Sequence, residues 1–205
     1  STDEVFGSVK EGFSFSETSP YDPKSPYSAS KAASDHLVNA WNNTYGLPVI
    51  VTNSSNNFGP WQYPEKLIPV IIKNALNNKV IPLYGDGQNI RDWIFVDDHV
   101  DALFQVMLKG KIGDSYCIGS RQLKTNEQIV SIVCDLLDFY KKDNAPHIRL
   151  KKNVKDRKGH DLRYAIDNSK ITKELNWTPN YDFDEAIKIT VKWYLDNPKW
   201  LNSID

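Results

Sequence analysis

The 205-residue sequence contains only two cysteines, one methionine and no long apolar run. Cys117 and Cys134 each lie in an apolar stretch without the CxxC or Cys/His spacing of a zinc site, so we expect buried free thiols in a reducing compartment and no metal site. No segment approaches the roughly 20 apolar residues of a membrane span, and no signal peptide opens the chain. These absences favour a soluble, cytoplasmic protein.

The sequence also lacks a surplus of charge of either sign. It has 25 Lys and Arg residues against 26 Asp and Glu residues, which gives a net charge of −1 at pH 7. Binding to nucleic acid or to an anionic membrane surface generally requires a basic surplus, so neither is expected as the main partner. With 40% hydrophobic residues, the chain is able to form the core of one large domain or two small ones.

Helical and strand patterns alternate along the chain. Residues 26–45 have apolar side chains at helical spacing, with Pro26 at the start and Gly46 after the end. The short β-branched stretch 47–53 is typical of a strand covered on both faces in a parallel sheet, and residues 56–64 resemble a loop at its carboxyl end. The other predicted elements are helices at 65–78, 96–110, 125–142 and 182–197, strands at 91–96 and 114–119, and an irregular charged segment at 152–167. This alternation indicates the α/β class.

A tyrosine and a lysine lie four residues apart in "YSASK", at the start of the first predicted helix. Tyr27 and Lys31 would share one face of that helix, with their Cβ atoms roughly 5–6 Å apart. A phenol with an ordinary pKa near ~10 is a poor base unless a nearby positive charge favours its phenolate form. The pair is therefore a candidate for acid–base chemistry, although five residues alone also fit an ordinary surface helix.

Five longer stretches extend this pattern in order along the chain. They are "STDEVFG", "SPYSASKAASDHLV", "VTNSSNNFGPWQYPEKLIP", "YGDGQNIRDWIFVDDHVDAL" and "DRKGHDLRYAID". Together they resemble the extended short-chain dehydrogenase/reductase family, and within it the nucleotide-sugar 4,6-dehydratases. The resemblance implies an α/β fold made of the later part of a Rossmann-type doubly wound parallel sheet and a smaller α/β nucleotide-sugar-binding domain. Residues 1–60 would belong to the Rossmann domain and 61–205 mainly to the substrate domain, with segments near 90–110 returning to the Rossmann sheet.

The same resemblance implies an NAD-dependent dehydration of dTDP-glucose to its 4-keto-6-deoxy product. Tyr27 would remove the proton from the C4 hydroxyl, while Lys31 would hold it ionised and touch the nicotinamide ribose. Glu4 would be the base at C5, Asp3 the acid at the C6 hydroxyl, and Thr2 a hydrogen-bond donor to the oxygen on C4. Adjacent acids also occur in solvated turns and at helix N-termini, and only the flanking motifs argue against that interpretation here.

Further residues are assigned to the cofactor and the nucleotide by resemblance. Asn57 would lie near the nicotinamide and Asn56 would face the substrate. Arg91 and Arg157 resemble the cations that grip the diphosphate, since a guanidinium can fork onto two oxygens. The remaining substrate-binding candidates are Lys66 and Leu67 beside the diphosphate, Pro82, Leu83 and Tyr84 against the base, Asn126 and His160 as polar contacts, and Asp156, Lys158 and Gly159 in "DRKGH".

The sequence lacks the glycine-rich phosphate loop of a dinucleotide-binding fold. "GDGQNI" at 85–90 has no third glycine, and no helical pattern follows it. We therefore expect a C-terminal segment of a longer enzyme, inactive as an isolated piece, and the family resemblance further implies a homodimer. Two alternatives stay open: another nucleotide-sugar dehydratase, epimerase or decarboxylase of the same fold, and a non-catalytic nucleotide-sugar-binding or interaction module.

Overall fold

The computed structural model describes residues 1–202 as an α/β structure that divides into two compact units. Unit 1 comprises Ser1–Asn57, Ile90–Leu123 and Lys158–Asn180, and unit 2 comprises Phe58–Asn89, Lys124–Arg157 and the chain from Tyr181 onward. Parallel strand pairs and helices occur in each unit, so the predicted α/β class is confirmed.

Helices and strands alternate through most of the chain. The helices are α1 (Pro26–Tyr45), α2 (Leu67–Leu76), α3 (Val96–Lys109), α4 (Asn126–Tyr140), α5 (Ser169–Leu175), α6 (Phe183–Asp196) and α7 (Pro198–Leu201). The strands are β1 (Val51–Ser54), β2 (Asn56–Phe58), β3 (Ile81–Tyr84), β4 (Ile90–Phe95), β5 (Ser115–Ile118), β6 (Leu123–Thr125) and β7 (Lys151–Val154). Two short 3₁₀ helices span Asp3–Phe6 and His147–Leu150.

The strands differ more from the sequence prediction than the helices do. The predicted helix 26–45 is confirmed at both ends. In contrast, β1 begins at Val51 rather than at 47, and Pro48 in the predicted stretch cannot donate a ladder hydrogen bond. The predicted loop 56–64 begins with β2, and the predicted irregular segment 152–167 contains most of β7. Both strands are short and mostly polar, so neither shows the apolar alternation by which strands are recognised.

The apolar residues that predict α1 do not form its buried face. Ser28, Ala32 and Asp35 are buried, whereas Leu37 is 62% exposed and Trp41 is 53% exposed. These apolar residues do lie on a helix, as their spacing predicts, but they do not pack into the core of unit 1.

Unit 1 is organised around the parallel pair β1 and β5, whose register runs from Val51 opposite Ser115 to Ser54 opposite Ile118. Helices α3 and α5 pack against β5. An apolar cluster joins Val5 and Phe6 of the first 3₁₀ helix, Ala32 of α1, Cys117 of β5 and Ile166. The N-terminal turn is thereby held beside α1 and the β1–β5 pair.

Unit 2 has its own parallel pair, with Ile81 of β3 opposite Lys151 of β7 and Tyr84 opposite Val154. Helix α2 packs against β3 and α4, and α4 packs against α6. The third sheet of the chain has the strand order β2–β4–β6.

Both cysteines are buried and free, as predicted from their apolar surroundings. Across residues 1–202, none of the helices combines the length and apolar character needed to span a membrane. The same residues contain no group of three or more His, Cys, Asp or Glu side chains that could hold a metal ion.

Candidate active site

The "TDE" stretch of unit 1 folds into a capped turn. Thr2 is the N-cap of the first 3₁₀ helix: its Oγ1 accepts the Glu4 N–H at 3.3 Å, and its hydroxyl donates to Asp3 Oδ1 at 3.4 Å. Gly7 ends this helix with a φ of 74°, and a Cβ there would lie 2.5 Å from the carbonyl oxygen of Asp22. The orientation of Asp3 and Glu4 therefore depends on a turn that only glycine closes without strain.

Tyr27 and Lys31 lie on the first turns of α1. Ser25 and Ser28 form a reciprocal capping box, with Pro26 at the first helical position, so the start of this helix is strongly defined. Tyr27 is 56% exposed. Since α1 packs against the Asp3–Phe6 helix, unit 1 brings the Tyr/Lys pair and the two acids to the same region.

The electrostatic surroundings of Tyr27 differ from the expectation for a phenolate base. Partial burial raises the pKa of Tyr27, and the negative charges of Glu4 and Asp3 raise it further. The positive charge of Lys31 would act in the opposite direction, and it would have to outweigh these effects before Tyr27 could accept a proton near neutral pH.

Asp3 is almost completely buried, at 2% exposure. Burial raises its pKa to about 8, the charges of Asp92 and Glu4 add to the shift, and Arg91 and the Thr2 hydroxyl oppose it. Asp3 Oδ2 has no hydrogen-bond partner among residues 1–202. A carboxyl group in this state is mostly protonated at neutral pH, so Asp3 can donate a proton.

Asp92 of β4 is a buried acid that the sequence analysis did not single out. Its Oδ1 accepts hydrogen bonds from Ser120 Oγ at 2.9 Å and from the Gln122 N–H at 3.0 Å, and the side chain is 0% exposed. Burial raises the pKa of Asp92, whereas its hydrogen bonds lower it. Its Oδ2 would lie 2.5 Å from a Cβ at position 119, so Gly119 leaves the space that this oxygen occupies. The only sequence signal for Asp92 is that this acid directly precedes the apolar run "WIF".

Arg91 is also buried, at 6% exposure. Its guanidinium donates to the carbonyl oxygens of Ile90 at 2.7 Å and Asp161 at 2.9 Å, and lies 4.2 Å from the centre of the Tyr164 ring. These contacts hold the backbone of unit 1. The assignment of Arg91 to a diphosphate therefore stays a prediction.

Asn56 and Asn57 lie on β2, just beyond β1. The Asn57 amide donates to the carbonyl of Ser55 at 3.0 Å, while Asn56 Oδ1 is buried and has no hydrogen-bond partner in the described part of the chain. A buried amide oxygen without a donor suits a ligand that carries a hydroxyl or an amide N–H. The polar nicotinamide end of NAD and the hydroxyls of a sugar both carry such donors.

The remaining substrate-binding candidates of unit 1 lie in the "KGH" stretch. Lys158 and Gly159 are exposed and His160 is half-buried. Gly159 has a φ of 68°, and a Cβ there would lie 3.1 Å from the carbonyl oxygen of Lys24. This turn therefore passes close to the segment that leads into α1.

Unit 2 carries the other predicted nucleotide residues. Arg157 lies 5.3 Å from the centre of the Tyr84 ring, and Asp156 packs against Gly85. Pro82 is half-buried, but Leu83 is only 1% exposed and belongs to the core. Any contact of Leu83 with a ligand would therefore have to involve its backbone.

Lys66, Leu67 and Asn126 lie at helix starts of unit 2. Lys66 is the N-cap of α2, its ammonium lies 3.4 Å from Glu65, and Leu67 is the first helical residue. Asn126 begins α4, and its N–H donates to the carbonyl oxygen of Asn89 at 3.1 Å. Thr125 caps that helix through a capping box with Gln128.

Comparison with protein families and curated proteins gives consistent matches. Residues 1–190 match a family model described as GDP-mannose 4,6 dehydratase. A dTDP-glucose 4,6-dehydratase of Xanthomonas campestris pv. campestris (strain B100) is 50% identical over 206 residues, which cover 100% of this chain and 59% of the relative. The dTDP-glucose 4,6-dehydratase of Haemophilus influenzae is 54% identical over 203 residues, covering 96% of this chain and 60% of the relative. The resemblance inferred from the motifs is confirmed.

Solved structures show the same similarity. A dTDP-glucose 4,6-dehydratase from Streptomyces venezuelae with NAD bound is 43% identical with a TM-score of 0.92, over 100% of this chain and 61% of that one. The NAD complex of the Bacillus anthracis enzyme is 48% identical with a TM-score of 0.88, over 98% of this chain and 61% of that one. A Thermus thermophilus UDP-glucose 4-epimerase with NAD is 27% identical with a TM-score of 0.84, over 95% of this chain and 62% of that one. The chain thus spans less than two thirds of the length of each of these relatives.

Proposed function

Because this chain belongs to the GDP-mannose 4,6 dehydratase family, we propose that the protein dehydrates dTDP-glucose to dTDP-4-keto-6-deoxyglucose with NAD as its cofactor. The proposal depends chiefly on Asp3, whose pKa is raised to about 8 by burial, in the same turn as Glu4 and near Tyr27. Elimination of water needs one group that gives a proton and another that takes one. Relatives that are dTDP-glucose 4,6-dehydratases at 50% and 54% identity support dTDP-glucose as the substrate.

Oxidation at C4 is assigned to α1 and to the turn. Tyr27 takes the proton of the C4 hydroxyl, Lys31 favours the phenolate from the same helix face, and the Thr2 hydroxyl donates to the C4 oxygen. When bound, NAD supplies the hydride acceptor for C4 and the hydride donor for C6, and Tyr27, Lys31 and Asn57 would hold its nicotinamide end. Asn56 would accept a hydrogen bond from the sugar.

Elimination is assigned to the two adjacent acids. Once C4 is a ketone, Glu4 removes the C5 proton, and the electrons of that C–H bond form the C5–C6 double bond. Asp3 protonates the C6 oxygen as its bond to carbon breaks, so water leaves. When hydride reaches C6, Glu4 returns a proton to C5. The product is then the substrate less one water.

Recognition of the nucleotide is assigned mainly to unit 2. A guanidinium beside an exposed aromatic ring, as in Arg157 and Tyr84, offers both a cation for phosphate and a stacking surface for a base. The other residues proposed for binding are Lys66, Leu67, Pro82, Leu83, Asn126 and Asp156 of unit 2, and Arg91, Lys158, Gly159 and His160 of unit 1.

We also propose that the protein is a homodimer that pairs through α1. Leu37, Trp41 and Tyr45 are exposed at 62%, 53% and 72%, which is unusual for such large apolar side chains on one helix. A second copy of the helix would cover this stripe with the same residues, as in an isologous interface.

The test is an assay of the intact gene product with dTDP-glucose, UDP-glucose and GDP-mannose. We expect a 4-keto-6-deoxy product from dTDP-glucose above all. Inversion at C4 without loss of water would indicate an epimerase instead, and preference for GDP-mannose would replace the proposed substrate. Binding of the nucleotide sugars without turnover would indicate a non-catalytic module.

Tyr27→Phe keeps the ring and removes the proposed proton acceptor. We expect turnover to fall by at least ~10²-fold, the scale of a positioned general base. Tyr140→Phe is the matched control, since Tyr140 is a 37% exposed tyrosine at the end of α4 and has no proposed role in catalysis or pairing. Near-normal turnover by Tyr27→Phe would reject the role given to this residue.

A further inference from the structure

Asp35 is a buried carboxylate that the proposed mechanism does not use. It lies on α1, one helical turn after Lys31, and is 4% exposed. Its Oδ2 accepts hydrogen bonds from the Tyr21 hydroxyl at 3.0 Å and from Asn53 Nδ2 at 3.1 Å. A buried carboxylate oxygen with two donors fixes the position of both donors.

Asn53 connects Asp35 to the turn formed by Thr2, Asp3 and Glu4. It lies on β1 at 2% exposure, and its Nδ2 also donates to the carbonyl oxygen of Thr2 at 3.2 Å. An amide nitrogen carries two hydrogens, one for each of these acceptors. A single side chain therefore connects the helix that carries Tyr27 to the turn that carries Asp3.

Tyr21 makes a second connection to the same turn. Its ring packs edge-on against Phe6 with 5.2 Å between the ring centres, and the N–H of the next residue, Asp22, donates to the carbonyl oxygen of Val5 at 2.9 Å. Asp35 thus holds both ends of the turn, the start through Asn53 and the end through Tyr21.

From this geometry we propose that Asp35 and Asn53 are positioning residues, which hold the Thr2–Glu4 turn in register with Tyr27 and Lys31. The inference rests on the proposed dehydration, in which Tyr27 acts at C4 and the acids of the turn act at the adjoining C5 and C6 of the same sugar. A misplacement of about 1 Å is able to cost ~10²-fold in rate. Because α1 is a long, capped helix and the turn is a short 3₁₀ segment, loss of the connection displaces the acids more than Tyr27.

The test compares Asn53→Ala with Asn168→Ala in the intact protein. Asn168 is a matched control, since it is a 6% exposed asparagine of the same unit whose Nδ2 donates to the carbonyl oxygen of Gly119 at 2.8 Å. Single-turnover absorbance follows the reduced nicotinamide, and exchange of the C5 proton with solvent follows elimination. In Asn53→Ala we expect C4 oxidation to slow only through the displaced Thr2 hydroxyl, and elimination to slow by at least ~10-fold more, because both Asp3 and Glu4 move. Equal slowing of both steps, or the same ratio as in Asn168→Ala, would overturn the proposal.

Variants of Asp35 separate positioning from simple loss of stability. Asp35→Asn keeps an oxygen that accepts from both donors, so we expect the wild-type ratio of the two rates. Asp35→Ala removes that oxygen and should give the same ratio of elimination to oxidation rates as Asn53→Ala. Combining Asp35→Ala with Asn53→Ala should change this ratio no further than either substitution alone, because the two residues act as one unit. Additive effects on the ratio would contradict this.

Amide hydrogen exchange distinguishes failure of this inference from failure of the proposed function. If the intact protein does not dehydrate dTDP-glucose, the proposed function fails, and exchange at the Glu4 N–H then decides the role of Asn53. That N–H is bonded to Thr2 Oγ1, so release of Thr2 should speed its exchange by at least ~10-fold in Asn53→Ala and not in Asn168→Ala. Unchanged exchange would overturn the positioning role.

Discussion

Asp92 is, after burial, the largest cause of the raised pKa of Asp3. Asp92→Asn keeps an oxygen for the Ser120 and Gln122 hydrogen bonds and removes the negative charge. We expect the pKa of Asp3 to fall below about 8, so elimination, which the proposed mechanism assigns to protonated Asp3, declines from a lower pH than in the wild type. The pH profile of elimination in single turnovers measures this. Glu11→Gln, at an exposed acid of the same unit, is the control, and an unchanged profile in Asp92→Asn would contradict the prediction.

Asp3 should make the protein less stable as the pH rises. Its carboxyl has a pKa of about 8 when folded and an ordinary value near ~3.9 when unfolded. Between these values the folded state holds a proton that the unfolded state has lost, so the free energy of unfolding falls with rising pH, by at most about 1.4 kcal/mol per unit. Asp3→Asn removes this slope and should be the more stable form at pH 8.5, although unable to protonate a leaving group.

Urea unfolding of wild type and Asp3→Asn at pH 5 and pH 8.5 measures this difference. We expect the gain in unfolding free energy from Asp3→Asn to be larger at the higher pH. An equal gain at both values would show that Asp3 does not hold its proton in the folded protein.

The site residues that the sequence suggests are those that occur in contiguous motifs. Thr2, Asp3 and Glu4 are adjacent, and Tyr27 and Lys31 are one helical turn apart, so they fall within the stretches that carry the family resemblance, and that resemblance supplies their predicted roles. Asp35 and Asn53 meet only because α1 and β1 fold together, and no local pattern marks that contact. Long-range hydrogen bonds of this kind are the part of the site that sequence reasoning misses.

At the scale of elements, the Asp3–Phe6 helix ends at a tightly constrained residue, Gly7. Gly7→Ala places a Cβ at a φ of 74° and 2.5 Å from a backbone oxygen, whereas Gly12→Ala has a φ of 80° with no atom within 4 Å. Both variants are strained by about 1 kcal/mol from the left-handed backbone, but only Gly7→Ala also forces neighbouring backbone to move. We expect Gly7→Ala to lower the melting temperature more than Gly12→Ala. Equal losses would show that the contact with Asp22 relaxes freely.

Helices were easier to predict than strands because their period and caps are both local. Thr125 and Gln128 predict the start of α4 within the sequence itself. By contrast, β3 and β7 are four-residue strands, and their pairing brings Ile81 opposite Lys151. The exposed apolar side chains of α1 show what such patterns leave open, because helical spacing identifies an apolar face but not the surface that covers it.

At the scale of the whole chain, cofactor affinity should be weak. Residues 1–205 contain no glycine-rich turn of the kind that holds a dinucleotide pyrophosphate at a helix N-terminus. Only the nicotinamide end has candidate contacts, so we expect this chain by itself to bind NAD weakly or not at all and to show no dehydratase activity. Calorimetry and a turnover assay test this, with the Haemophilus influenzae relative as the positive control. Micromolar affinity together with turnover would contradict the prediction.

The division of the chain into units bears on how it folds during synthesis. Each unit is assembled from three separate segments, and unit 1 receives its last one, Lys158–Asn180, only after two segments of unit 2. A growing chain that has reached residue 157 therefore holds two incomplete cores, and contacts of such long sequence separation form slowly. A truncation before Lys158 removes a piece of both units, so neither should unfold cooperatively. Neither core is therefore able to close until the segments after residue 157 have been synthesised.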